Sequence, residues 1–207
     1  MPSVPVNRYF IFGIIALLGV SGDIYSKHLV FQDLGYPGGR QFPTAVGEYK
    51  VFDAVAPARN GETREYLNGW LSFRLYTSFN RGALWGIGQN MTWVFAALSF
   101  VAAAGVLYWL FKMGAAHSLW LTISLSLIFS GTLGNLWDRL GWHGCKESPQ
   151  GEPLRAVRDF LLFTFGTYHW PIFNFADVFL VTGAIMLGVH SFFLSEENQQ
   201  TKPATNS

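Results

Sequence analysis

The chain alternates long apolar runs with polar segments. Four runs approach the roughly 20 residues that a helix needs to cross a bilayer: about 9–30, 91–111, 118–137 and 173–194. The first, "FIFGIIALLGVSGDIYSKHLV", has a second reading, because Arg8, a short apolar core and the small residues of "GVSG" also fit a cleaved signal peptide. Apolar residues resume after Lys27, which favours a span.

The polar segments differ in kind. Between the first two runs, "GEYKVFDAVAPARNGETREYLNGWLSFRLYTS" contains Asn60-Gly61 and Asn68-Gly69. Asn-Gly between alternating runs signals a hairpin, since the tight turn needs positive φ. Strands are expected near 49–55, 64–67 and 70–77, forming a small sheet over about 48–78 at the membrane surface, with Trp70, Phe73 and Tyr76 resting on headgroups. A second polar loop, "GWHGCKESPQGEPLRAVRD", joins the third and fourth runs, and the polar residues 196–207 read as a disordered tail. The expected fold is one membrane-embedded domain over 1–195, an all-α bundle of four transmembrane helices with a small β element between helices 1 and 2.

Composition agrees. Half the residues are hydrophobic and 13% are charged, against about a quarter in soluble domains. The net charge of +1 argues against a nucleic-acid partner. The single cysteine, Cys145, permits no intrachain disulfide, and the five histidines lack HxxxH or HExxH spacing, so no metal or cofactor is expected. Charge does not settle orientation. The two large loops hold ten Lys and Arg residues against Arg8, Lys112 and Lys202 on the terminal side. That count places the loops inside, but long loops obey the rule poorly.

Several side chains do not belong in or beside lipid: Asp23, Lys27, Asn80, Asn135, Asp138, Arg139, Asp159, Asn174 and Asp177. Asp177 is the only formally charged residue in 173–194, and an ionised group in hydrocarbon costs at least a few kcal/mol, so it normally has a partner and a function. Asp23 and Lys27, four apart, share a helix face as an ion pair, as do Asn135, Asp138 and Arg139. Taken singly, each is equally a helix cap, a snorkelling group or, for Asn80, a turn residue. Taken together, three spans and two loops place them at one membrane level. A transporter would need polar groups on both sides of the midplane, and the second run carries only Ser99 as a wholly polar side chain between 93 and 111.

Five ordered motifs resemble the lipoprotein signal peptidases (signal peptidase II), bacterial four-span aspartic peptidases. They are "DIYSK" at 23–27, "FNRGALWG" at 79–86, "SGTLGNLWDRL" at 130–140, "VRDFLLF" at 157–163 and "WPIFNFADVFLVTG" at 170–183. The resemblance implies catalytic Asp159 and Asp177, sharing a proton and activating a water. It implies supporting roles for Asn80, Gly82, Asn135, Arg139 and Asn174, and structural or substrate roles for Asp23, Lys27 and Asp138. The implied partners are membrane lipid and prolipoproteins bearing a diacylglyceryl-modified cysteine, cut just before that cysteine. The implied setting is the bacterial cytoplasmic (inner) membrane, with both termini cytoplasmic, the site near the extracytoplasmic face and the chain a monomer. A membrane transporter and an inactive lipoprotein-binding homologue remain as alternatives. Two features depart from the family: "HGCKESPQGEPLR" lengthens the loop before Asp159, and Arg81 and Trp85 replace smaller or phenyl side chains.

Overall fold

A computed structural model describes residues 3–35, 40–44, 47–51, 63–82, 88, 91–146 and 151–200. Four long helices dominate: α1 (Val6–Leu34), α2 (Thr92–Phe111), α3 (Leu119–Arg139) and α4 (Phe175–Gln200). Each contains a stretch long and apolar enough to cross a membrane, and a helix is suited to that because it satisfies its backbone bonds internally. Local chemistry sets the ends. Gly35, at φ 80°, stops α1. Gly114, at φ 84°, and a 3-10 turn at Ala115–His117 reverse the chain after α2. The Ser118 side chain then accepts the Leu121 N–H at 3.3 Å and starts α3. Helix α1 runs unbroken through "GVSG".

Helix α3 is the axis of the bundle, packed by α1, α2 and α4. Its buried face is small and polar: Ser124, Ser126, Ser130, Gly131 and Gly134. Ser130 donates to the Ser126 carbonyl at 2.7 Å, which hides its hydroxyl within the helix. A Cβ at Gly131 would strike the Ala176 carbonyl oxygen, so only glycine lets α4 approach this closely. Large apolar residues such as Phe10, Ile14, Val101, Ile185 and Phe192 instead point outward, as lipid contact favours.

The β element is larger than expected and differently composed. Strands β1 (Arg40–Thr44) and β2 (Gly47–Val51) form one hairpin. Strands β3 (Thr63–Leu67), β4 (Leu71–Asn80), β5 (Val157–Phe165) and β6 (Tyr168–His169) form an antiparallel sheet in that order. The β element is therefore not confined to the segment between helices 1 and 2, because half the main sheet comes from the loop between α3 and α4. The Asn68-Gly69 pair does join β3 to β4, with Gly69 at φ 154°. Asn60-Gly61 and the expected strand residues 52–55 lie outside the described residues, as does the tail from 201. Helix α4 continues to Gln200, past the point where the sequence turns polar.

Phe73 stacks on Tyr66 and Phe163, with ring centroids 5.6 and 4.8 Å away, and Trp70 meets Phe165 edge-on at 6.1 Å. The sheet seats on the end of α1, where buried Phe31 packs with Phe160 and Leu161 and meets Phe79 edge-on at 5.2 Å. The lengthened loop folds back beside it: the Leu154 N–H donates to the Cys145 carbonyl at 2.8 Å, and Cys145, Leu154 and Ala156 pack on Phe79.

Candidate active site

Asn174 immediately precedes α4, and Asp177 is the third residue within it. Asn174 Oδ1 accepts the Asp177 N–H at 3.1 Å, and Asp177 Oδ2 accepts the Asn174 N–H at 3.2 Å. This reciprocal capping box satisfies N–H groups that a helix start leaves without internal acceptors. Asp23 Oδ1, from α1, takes the Ala176 N–H at 2.8 Å. Asp177 thus lies at the first turn of the span, where the helix dipole favours a carboxylate.

Asn135 of α3 connects this helix start to the core. Its Nδ2 donates to Asp177 Oδ1 at 2.8 Å, while its Oδ1 accepts from Asn174 Nδ2 and Lys27 Nζ, each at 3.1 Å. Lys27 is fully buried; besides Asn135 it meets Asp23 Oδ2 at 2.7 Å and Asp138 Oδ2 at 3.4 Å. The ammonium hydrogen-bonds Asp23 and Asn135 and pairs by charge with Asp138. The Asp23–Lys27 pair expected from their spacing is present and lies in the interior.

Asp159 reaches the same place from β5, where it stands opposite Ser78. It is 3% exposed and accepts Asn174 Nδ2 at 2.6 Å. The Asn80 side chain also hydrogen-bonds it, while Asn80 Oδ1 is turned to the Gly82 N–H at 2.9 Å. Burial first, and then the nearby charge of Asp177, hold the Asp159 carboxyl well above the usual carboxylate range; Lys27 and the two asparagines offset part of this.

Both aspartates open onto one cavity of about 410 Å³. Asn80, Gly82, Asn135 and Arg139 supply its polar wall, and Trp170, Phe173, Val178 and Val181 its apolar one. The Arg139 guanidinium lies 5.5 Å over the Phe95 ring and also borders a second cavity of about 210 Å³ between α2, α3 and α4.

The structure thus brings Asp23, Lys27, Asn135, Asp138, Asp159, Asn174 and Asp177 into one connected network, with Asn80, Gly82 and Arg139 on the cavity wall. Asp138 faces away from the cavity, gripped by Lys27 and by Arg158. Arg158 was not among the sequence candidates, although a charged residue inside "VRDFLLF" was a visible signal. Among the described residues, no group of three or more His, Cys, Asp or Glu side chains is arranged to hold a metal ion. Two carboxylates on one cavity, one favoured protonated and the other at a helix start, can act as an acid–base pair.

The chain also matches known proteins in sequence and in fold. The family described as Signal peptidase (SPase) II matches residues 15–193. The chain is 38% identical to the lipoprotein signal peptidase of Rhodopirellula baltica over 189 residues, 91% of this chain and 74% of that one. It is 34% identical to that of Bacillus pumilus over 145 residues, 70% of this chain and 82% of that one. Its fold is similar to a bacterial membrane enzyme solved by the in meso method at 2.3 Å resolution, with TM-score 0.63, 22% identity and coverage of 95% of this chain and 94% of that one.

Proposed function

Because the chain belongs to the signal peptidase II family, a family of peptidases that remove signal peptides from prolipoproteins, we propose that it does so as an aspartic endopeptidase whose catalytic pair is Asp159 and Asp177. The observation that carries this reading is the shared cavity, in which Asn174 hydrogen-bonds Asp159 and Asn135 hydrogen-bonds Asp177. Asp177 acts as base on a water that attacks the scissile carbonyl. Asp159, whose carboxyl burial pushes well above the usual carboxylate range, is the acid: it polarises that carbonyl and then gives its proton to the leaving amine. Asn80, Asn135 and Asn174 hold the carboxylates in place, and Arg139 stabilises the negative charge that develops on the carbonyl oxygen.

The substrate is a prolipoprotein whose cysteine carries diacylglycerol, cut just before that cysteine. The apolar cavity wall at the start of α4 suits a substrate whose acyl chains stay in lipid while its peptide reaches the polar wall. The protein works as a monomer in the bacterial inner membrane, with both termini cytoplasmic and the sheet and aspartates towards the outer face.

The test is cleavage in detergent micelles of a diacylglyceryl-modified prolipoprotein and its unmodified form. Wild type is expected to cut only the lipidated form, and Asp159→Asn and Asp177→Asn are each expected to lose at least about a hundredfold in rate, the contribution of a general acid or base. Cleavage that survives Asp159→Asn removes Asp159 from the pair. A wild type that binds but cuts nothing would make the chain an inactive lipoprotein-binding relative.

A further inference from the structure

Asp159 lies just past a register shift in its sheet. The β4–β5 register runs regularly from Leu71 to Leu75, then shifts before Ser78, which faces Asp159. A bulge leaves residues locally unpaired and re-aims the side chains around it. A slip of one residue would turn the carboxylate to the other face of the sheet. Beyond that shift the ladder holds the start of β5 by the pairs Ser78–Asp159, Phe79–Arg158 and Asn80–Val157, and a contact outside the ladder guards these pairs against such a slip.

Arg158 and Asp138 supply that contact. Arg158 is 4% exposed and, as the strand neighbour of Asp159, points to the opposite face. Asp138, at the rigid end of α3, takes the Arg158 N–H on Oδ2 at 2.9 Å. Its Oδ1 takes Arg158 Nε at 3.1 Å and the terminal guanidinium nitrogen at 2.8 Å. One carboxylate thus holds both the backbone and the side chain of the residue before Asp159. Phe160 and Leu161 on the far side donate their N–H groups to the Phe173 carbonyl at 3.0 and 2.8 Å.

We propose that Arg158 is a positioning residue for this site: by binding Asp138 through both backbone and guanidinium, it sets where β5 begins and so where the Asp159 carboxylate meets Asp177. The inference rests on the two-aspartate reading above. It extends to Asp177 through Lys27, which hydrogen-bonds Asp23 and Asn135 and pairs by charge with Asp138. Without the Arg158 cation, Asp138 draws Lys27 towards itself and away from Asn135, the residue that hydrogen-bonds Asp177. A purely structural ion pair would affect stability alone. A positioning role also moves the turnover rate and its pH dependence.

The experiment measures kcat, KM and the pH–rate profile of the full chain in micelles on the lipidated substrate. It compares wild type, Arg158→Met, Arg158→Lys and the double variant Asp138→Leu/Arg158→Leu. The double variant replaces a buried ion pair by apolar side chains, an exchange often neutral for stability, so it keeps the test open if Arg158→Met fails to fold. The folded double variant and Arg158→Met are expected to lose at least about tenfold in kcat, a modest part of what a 1 Å misplacement can cost, with KM within about twofold. In Arg158→Met the alkaline limb moves to higher pH, because removing a cation favours protonated neighbours. Arg158→Lys restores the charge without the two-pronged grip and regains part of the rate. Wild-type kcat and an unmoved profile in the folded variants overturn the inference while leaving the proposed function intact. A wild type that cuts nothing removes both.

Discussion

Lys27→Met tests whether the buried network holds the bundle together. Methionine approximates the length of lysine but has no charge and no donors. The substitution takes away the proton donor that Asp23 Oδ2, Asn135 Oδ1 and Asp138 Oδ2 share within 3.4 Å. Removing one member of a buried ion pair typically costs about 3–5 kcal/mol, because the partner keeps its charge without compensation. Here the lower end applies, since Asp138 keeps Arg158 and Asp23 keeps the Ala176 N–H. For a chain of this size, about 3 kcal/mol lowers the unfolding midpoint by roughly 6–12 °C. The midpoint can be followed in micelles by the fluorescence of the eight tryptophans. Adding Asp23→Asn removes the stranded charge, so the double variant should be at least about 1 kcal/mol more stable than the sum of the single changes. A Lys27→Met midpoint within about 2 °C of wild type, or strictly additive variants, would refute this account of the network.

Two pH effects follow from groups outside the spans. The Asp159 carboxyl titrates above its unfolded value, so its contribution favours the folded state at low pH and is lost as pH rises through the raised value. Asp159→Asn should therefore raise the unfolding midpoint at neutral pH and match wild type in acid; denaturation at both pH values checks this. His143 is pushed down from 6.5 to about 4, chiefly by burial, so it stays neutral when folded but takes a proton when unfolded. Its contribution is present above pH 6.5 and is lost as pH falls towards 4, amounting to roughly 3 kcal/mol at pH 4. His143→Gln should flatten the stability profile across that window.

The sequence carried the helices and the convergence of polar groups more clearly than the sheet. Runs of about 20 apolar residues leave little choice of structure, and spacings of three and four place Asp23 with Lys27 on one face whatever surrounds the helix. The β5 strand was harder. "VRDFLLFTF" is short and mostly apolar on both faces, and periodicity does not separate such a buried strand from a helix segment. Assigning it requires β4 as its neighbour, and β4 lies about 80 residues earlier. The capping box at Asn174 and Asp177 was legible as a motif but not as a reason: the same spacing that starts the helix also ties the carboxylate to its neighbours. Arg158 was hidden for another cause. Its partner Asp138 lies 20 residues back, across the lengthened loop. Only the alternation of β5 shows that Asp159 facing the cavity sends Arg158 to the opposite side, towards the end of α3. A charged residue beside a candidate catalytic aspartate, in a run that would otherwise be wholly apolar, is therefore best read by first asking which strand parity would bury both.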